Sequence, residues 1–169
     1  MTEPTAITKT IESPVGRLSI TEAGGAVVRI AWTDHQAGDL GAQPGETPLL
    51  ARAAEQLDQY FAGQRRDFEL PLAPPGTPFQ RRVWTEMARI PFGATASYGA
   101  LAREVGSVAR AVGGACGANP IPIVIPCHRV VGTGGALGGF SGGAGPPTKR
   151  ALLELEGVAP REPELFGDA

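Results

Sequence analysis

The chain is poor in the residues that build disulfide frameworks and metal centres: it has two cysteines and two histidines in 169 residues. Two cysteines do not make a disulfide scaffold, and a reduced, cytoplasmic setting is the expectation. His35, Cys116, Cys127 and His128 have no zinc-ligand spacing, and residues 1–70 carry no cysteine, so neither metal nor cofactor is expected. Aromatic residues are scarce at 6%, yet the 42% hydrophobic content is enough for a packed core. No apolar run approaches the roughly 20 residues of a membrane span, and the acidic, proline-containing N-terminus has no signal-peptide pattern. No internal repeat is present. The length fits one ordinary domain or two small ones.

The small net charge of −2 conceals a division. Residues 79–150 carry eight Lys/Arg against Glu86 and Glu104, a local balance of +6, while the remainder stands at −8. One part of the chain could face a phosphate backbone, or carry solvated arginines only.

The most informative segment is residues 119–131, Asn-Pro-Ile-Pro-Ile-Val-Ile-Pro-Cys-His-Arg-Val-Val. Pro120, Pro122 and Pro126 stiffen the approach to adjacent Cys127 and His128. A thiolate is the reactive form of cysteine, and a neighbouring imidazole or cation lowers the thiol pKa. Cys127 is thus either a nucleophile or a small buried hydrophobe.

The patterning divides the chain. Residues 5–33 read as antiparallel strands with turns at Ser13–Gly16 and Gly24-Gly25, and residues 34–46 as a polar loop. Apolar spacing at Leu50, Ala53, Ala54, Leu57, Tyr60 and Phe61 predicts a helix from Thr47. Arg66–Leu72 is a candidate short strand. Ala73-Pro74-Pro75-Gly76 marks a boundary, giving domains 1–72 and 79–169 with a 73–78 linker. Thr77 then caps a helix with Pro78 at its first position. Ser97 caps Tyr98–Val105, which Gly106 closes, and Ser107 is expected to cap a further helix to about Cys116. Two short helices across a tight glycine turn resemble a helix-turn-helix, with Arg110 near the start of the second. Cys116 is expected to be packed. A Gly-rich loop, 132–145, leads to a last helix, 148–156, starting from Thr148.

Pro126-Cys127-His128-Arg129-Val130 resembles the active-site motif of the O6-alkylguanine-DNA alkyltransferases. The likeness extends in order through Gly76–Trp84, Ile90–Gly93, Ser97-Tyr98, Ala109–Gly113, Asn119-Pro120, Phe140–Gly143 and Leu152–Gly157. Residues 1–70 match only in their strand-then-helix layout. The resemblance implies an α/β protein: a ribonuclease-H-like N-terminal domain of antiparallel sheet plus helix, and a helical, winged-helix-like C-terminal domain with the helix-turn-helix. It implies DNA repair by direct reversal, in which the alkylated guanine is flipped out of the duplex and Cys127 takes the alkyl group irreversibly, once per molecule. His128 would act as base through a bridging water and Glu156 would orient it, the logic of the hydrolytic triads. Asn119 would support the turn, and Tyr98 would donate to the purine. Arg110 would enter the vacated stack. Ser97, Ala109, Ala111, Gly113, Lys149, Phe140 and Ser141 complete the implied substrate and DNA contacts.

The implied partner is double-stranded DNA containing O6-alkylguanine, met by a monomer, with cooperative binding on DNA left open. No membrane is involved. Two departures stand out. Only Ser107, Val108 and Ala109 separate Gly106 from Arg110, about two residues fewer than usual in the family, and Phe140 stands where some relatives have Tyr. Two other readings are a lesion sensor without transfer, which would lack the cysteine, and a Cys-His hydrolase, which would leave Arg110 and the basic helix pair unexplained.

Overall fold

The structure, a computed structural model, describes residues 5–33 and 42–159. His35 and most of the polar loop lie outside them. The described residues form two compact units, 5–33 and 42–76 with 120–124, and 77–119 with 125–159.

The first unit is a four-stranded sheet with one helix. Strands β1 (Ile7–Ile11), β2 (Leu18–Ala23) and β3 (Ala26–Trp32) run antiparallel in the expected meander. The order is β3-β2-β1-β4, where the two-residue β4 (Gln43–Pro44) pairs parallel to β1. Alternation on β2 turns Leu18 and Ile20 inward, where they join Val27, Ile30 and the apolar stripe Leu50, Ala53, Leu57 and Tyr60. That stripe belongs to α1 (Pro48–Phe61), which begins where Thr47 Oγ1 accepts from the Leu50 amide at 3.0 Å.

Arg66–Leu72 does not form the expected strand. The backbone of Glu69 is satisfied by a side chain: Gln56 Nε2 donates to its carbonyl at 3.2 Å, and its amide donates to Gln56 Oε1 at 2.9 Å. Only Leu72 bridges to the sheet, opposite Val27. A buried glutamine thus takes the place of a partner strand, which no period-two pattern could reveal.

The second unit is mainly helical. Thr77 and Gln80 form a reciprocal capping box at the start of α2 (Pro78–Met87), whose Val83, Trp84 and Met87 are buried. Trp84 Nε1 donates to the Ala115 carbonyl at 2.8 Å, fastening α2 to α4 (Ala109–Gly117). Between them α3 (Tyr98–Val105) starts from Ser97, whose Oγ accepts from the Ala100 amide at 3.0 Å. Gly106, at φ 68°, closes α3 in the left-handed region that glycine favours.

Ser107 does not cap α4. Its amide donates to the Ala102 carbonyl at 2.8 Å, so Ser107 completes the end of α3, and the cap position falls to Val108, which has no side-chain acceptor. The shortened turn thus spends Ser107 on closing α3 and leaves an apolar residue at the cap of α4. The last helix, α5 (Pro146–Leu155), also starts earlier than expected. Pro146 and Pro147 fill its first turn, where an amide has no helical partner in any case. Thr148 Oγ1 accepts from the Ala144 amide at 2.8 Å, before the helix starts.

Candidate active site

Cys127 sits on a single helical turn, Cys127–Arg129, inside the second unit. Pro126 (φ −82°, ψ 69°) makes the tight turn that precedes it, and the Cys127 amide donates to the Ile125 carbonyl at 2.8 Å. Asn119 Nδ2 donates to the same carbonyl, also at 2.8 Å, so a side chain at the end of α4 fixes the turn that carries the thiol. Upstream, Ile123 is buried at φ 75°, a region that a β-branched residue rarely occupies. The approach to Cys127 is therefore strained as well as stiff, which the run of prolines did not disclose.

The residues after the turn form β6 (Val130–Val131), parallel to β5 (Ala96–Ser97). This pairing brings Tyr98, the first residue of α3, to the segment that holds Cys127. Ser97 therefore caps α3 and registers it against β6. Lys149, fully buried on α5, donates to the Val130 carbonyl at 2.6 Å and the Gly139 carbonyl at 3.3 Å. Its Nζ lies 5.7 Å from the Tyr98 ring centroid. Gly138 takes φ 73°, the left-handed region that favours glycine, and a Cβ there would stand 3.4 Å from both Lys149 Nζ and the Tyr98 hydroxyl, in van der Waals contact. Phe140 is half-buried and Ser141 exposed in this same glycine-rich segment.

His128 and Glu156 are completely buried, with Nε2 2.7 Å from Oε2. A carboxylate only accepts, which puts a proton on Nε2 and makes Nδ1 the basic nitrogen. Nδ1 is itself buried and has no hydrogen-bond partner among the described residues.

Arg129 was not singled out as a site residue from the sequence. Its Nε donates to Glu156 Oε1 at 2.8 Å and its Nη2 to Oε2 at 3.0 Å. Nη1 donates to the Ile90 carbonyl at 2.7 Å, and the guanidinium lies 5.8 Å from the Phe92 ring centroid. Its position beside His128 and inside the Pro126–Val130 motif is the signal for it in the sequence.

Burial decides the electrostatics. The Cys127 thiol is pushed up by desolvation, and the Asn119 side chain, buried Lys149 and nearby backbone amides oppose that only in part. At rest this is a thiol, contrary to the expectation of a lowered pKa, because the apolar surroundings outweigh the charges. Burial also pushes His128 down, so its imidazole is neutral, with Glu156 pulling the other way. Burial and the two thiols raise the Tyr98 phenol to about 12, so its hydroxyl keeps its proton. Lys149 is held below the usual range by burial. Cys116 is half-buried with Sγ 3.5 Å from the Met87 sulfur, and burial lifts its thiol to about 12.

Arg110 is exposed on the first turn of α4, as is Ala109, with Ala111 and Gly113 half-buried after them and the apolar Val108 65% exposed before them. The +6 balance overstates the outward charge, because Arg129 and Lys149 are internal.

The structure joins His128 to Glu156 in a buried contact and places Cys127 next to His128 on the same turn, a set of groups that can serve as nucleophile, base and orienting carboxylate. Two family models match the chain: 6-O-methylguanine DNA methyltransferase, ribonuclease-like domain, over residues 7–74, and the DNA binding domain of the same name over residues 78–158. The constitutive methylated-DNA–protein-cysteine methyltransferase of Bacillus subtilis is 42% identical over 160 residues, covering 90% of this chain and 96% of the relative. The Mycobacterium tuberculosis (strain H37Rv) methylated-DNA–protein-cysteine methyltransferase is 42% identical over 169 residues, covering 94% and 97%. The crystal structure of a Mycobacterium tuberculosis O6-methylguanine methyltransferase superposes with a TM-score of 0.82 at 40% identity, covering 96% of this chain and 99% of that one. That of Mycobacterium tuberculosis OGT in complex with DNA gives 0.81 at 43% identity, covering 91% and 95%. The chain belongs to the 6-O-methylguanine DNA methyltransferase family. Among its described residues no helix is long and apolar enough to cross a membrane.

Proposed function

We propose that this protein repairs DNA by direct reversal, transferring the alkyl group of an O6-alkylguanine irreversibly to Cys127. The observation that carries the assignment of residues is the buried pair of His128 and Glu156, Nε2 2.7 Å from Oε2, on the turn that carries Cys127, whose thiol burial pushes up. A neutral thiol is a poor nucleophile, so its proton must leave as it attacks. Nδ1 of His128 receives it, through a bridging water as the family implies, and Glu156 stabilises the imidazolium that forms. Sγ bonds to the alkyl carbon, the bond from that carbon to O6 breaks, and its electron pair goes to guanine. Tyr98, a proton donor at any ordinary pH, supplies a hydrogen bond or proton to the leaving purine. The proton lost by the thiol balances the one guanine gains. The thioether product is stable, so each molecule reacts once.

In this reading α3 and α4 are a helix-turn-helix that docks on double-stranded DNA, with residues 1–72 the ribonuclease-H-like domain and 79–169 the DNA-binding and active-site domain. Arg110 enters the stack that the flipped base leaves, flanked by Ala109, Ala111 and Gly113. Phe140, Ser141 and Lys149 lie on the glycine-rich side of Tyr98 and bound the guanine. The protein acts as a monomer in the cytoplasm. Replacing Cys127 by Ala should abolish transfer of labelled methyl from an O6-methylguanine duplex while preserving DNA binding. Retained transfer in that variant would refute the assignment.

A further inference from the structure

Arg129 is the one member of the buried cluster for which the transfer chemistry has no use. Its guanidinium takes both oxygens of Glu156, at 2.8 and 3.0 Å, and one of those oxygens also meets His128 Nε2 at 2.7 Å. The three side chains are 0–7% exposed. A buried carboxylate must be balanced by a cation, and two candidates stand beside it. Arginine is permanently charged, whereas histidine is charged only when protonated. With Arg129 in place the carboxylate is already matched, and an imidazolium would leave surplus positive charge beside buried Lys149.

We propose that Arg129 is a positioning residue which, as the permanent cation of Glu156, keeps His128 neutral with its proton on Nε2 and Nδ1 open to the thiol proton. The proposal rests on the reading of His128 as the base for Cys127. The titratable and charged groups around the imidazole are Arg129 and the neutral Cys127 thiol from its own turn, Lys149 from α5 and Glu156 at the end of that helix. The buried face of α2 (Val83, Trp84, Met87) brings none. Burial, Arg129 and Lys149 all hold the imidazole neutral, and Glu156 alone favours its charged form. Without Arg129 the unmatched carboxylate recruits a proton onto His128, and the base is spent before substrate arrives.

The test is the pH dependence, from 5 to 9, of methyl transfer from an O6-methylguanine duplex, combined with nitrogen-15 NMR of the His128 ring. Wild type is expected to show neutral His128 protonated at Nε2 at pH 7. In Arg129→Met the ring is charged at pH 7, and the acid limb of the rate moves up by about one unit or more, so the rate below the limb falls about ten-fold or more. Near pH 9 the rate recovers towards wild type. Arg129→Lys, which keeps the charge and loses the fork, retains the wild-type limb at a lower plateau. A merely structural role predicts the same loss at every pH in both variants, and that result overturns the proposal, as does a neutral His128 in Arg129→Met. Should Arg129→Met fail to fold, the wild-type and Arg129→Lys spectra decide: a neutral ring protonated at Nε2 in both supports the proposal, and a ring protonated at Nδ1 in either overturns it. If His128→Gln transfers methyl at the wild-type rate, the base reading itself fails, while the ring spectrum of Arg129→Met still reports whether Arg129 sets its charge.

Discussion

Replacing Glu156 by Gln keeps the shape of the side chain and removes its charge. Its partners are unusually demanding: two arginine nitrogens at 2.8 and 3.0 Å and the His128 nitrogen at 2.7 Å. The amide retains one acceptor oxygen but turns an NH2 group towards donors, and it leaves Arg129, 7% exposed, as an unmatched buried cation. Breaking a buried pair from one side costs about 3–5 kcal/mol, against about 0–1 kcal/mol for an exposed pair. For a chain of this length each kcal/mol moves Tm by about 2–4 °C, so the expected drop is about 6–20 °C. Urea denaturation, with the slope checked for constancy, gives the free energy directly. Arg129→Met combined with Glu156→Gln should be less destabilised than the sum of the single changes, because the double variant removes both charges of the pair together. A loss below about 1 kcal/mol in Glu156→Gln, or singles that simply add, would refute the view that these groups form one buried cluster.

Acid should weaken the fold through His128. Its pKa in the folded state lies below the unfolded value near 6.5, so above that pH both states are neutral and the residue has no effect. As the pH falls below about 6.5 the unfolded chain binds the extra proton, and stability drops by up to about 1.4 kcal/mol per pH unit. Thermal melts from pH 8 to 5.5 should show this slope, and His128→Gln should flatten it; an unchanged slope would count against a neutral buried imidazole. Asn119→Ala removes one of the two donors to the Ile125 carbonyl, the Cys127 amide remaining, which costs about 0.5–1.5 kcal/mol. It should slow transfer even where circular dichroism shows a folded protein, and an unaltered single-turnover rate would contradict its role in holding the Cys127 turn. Arg110→Ala should weaken repair of duplex DNA more than reaction with free O6-methylguanine, and equal loss on both substrates would contradict intrusion into the stack.

What was legible in the sequence follows the range of the forces involved. Thr77 and Ser97 are legible as caps because capping is decided within three residues, and both hydroxyls accept the expected amide. Ser107 and Thr148 have the same chemistry but answer to the preceding turn, where α3 closes on Gly106 and two prolines open α5. Arg66–Leu72 departs from the expected strand, with the Glu69 backbone satisfied by Gln56, a contact between residues distant in sequence. At the site, adjacency exposed Cys127 and His128, and the family likeness pointed to Glu156. The bidentate grip of Arg129 on Glu156 spans 27 residues, and composition describes it only as one more positive charge. The resting state of the thiol was hidden for the same reason, since desolvation is a property of the packed core.

Incubation with a duplex carrying one O6-methylguanine, followed by intact mass spectrometry and peptide mapping, tests the central claim most directly. The account predicts the mass of a single methyl group per molecule, confined to the peptide that contains Cys127, and no further uptake with excess DNA. No mass change, or a methyl group on Cys116, would contradict it.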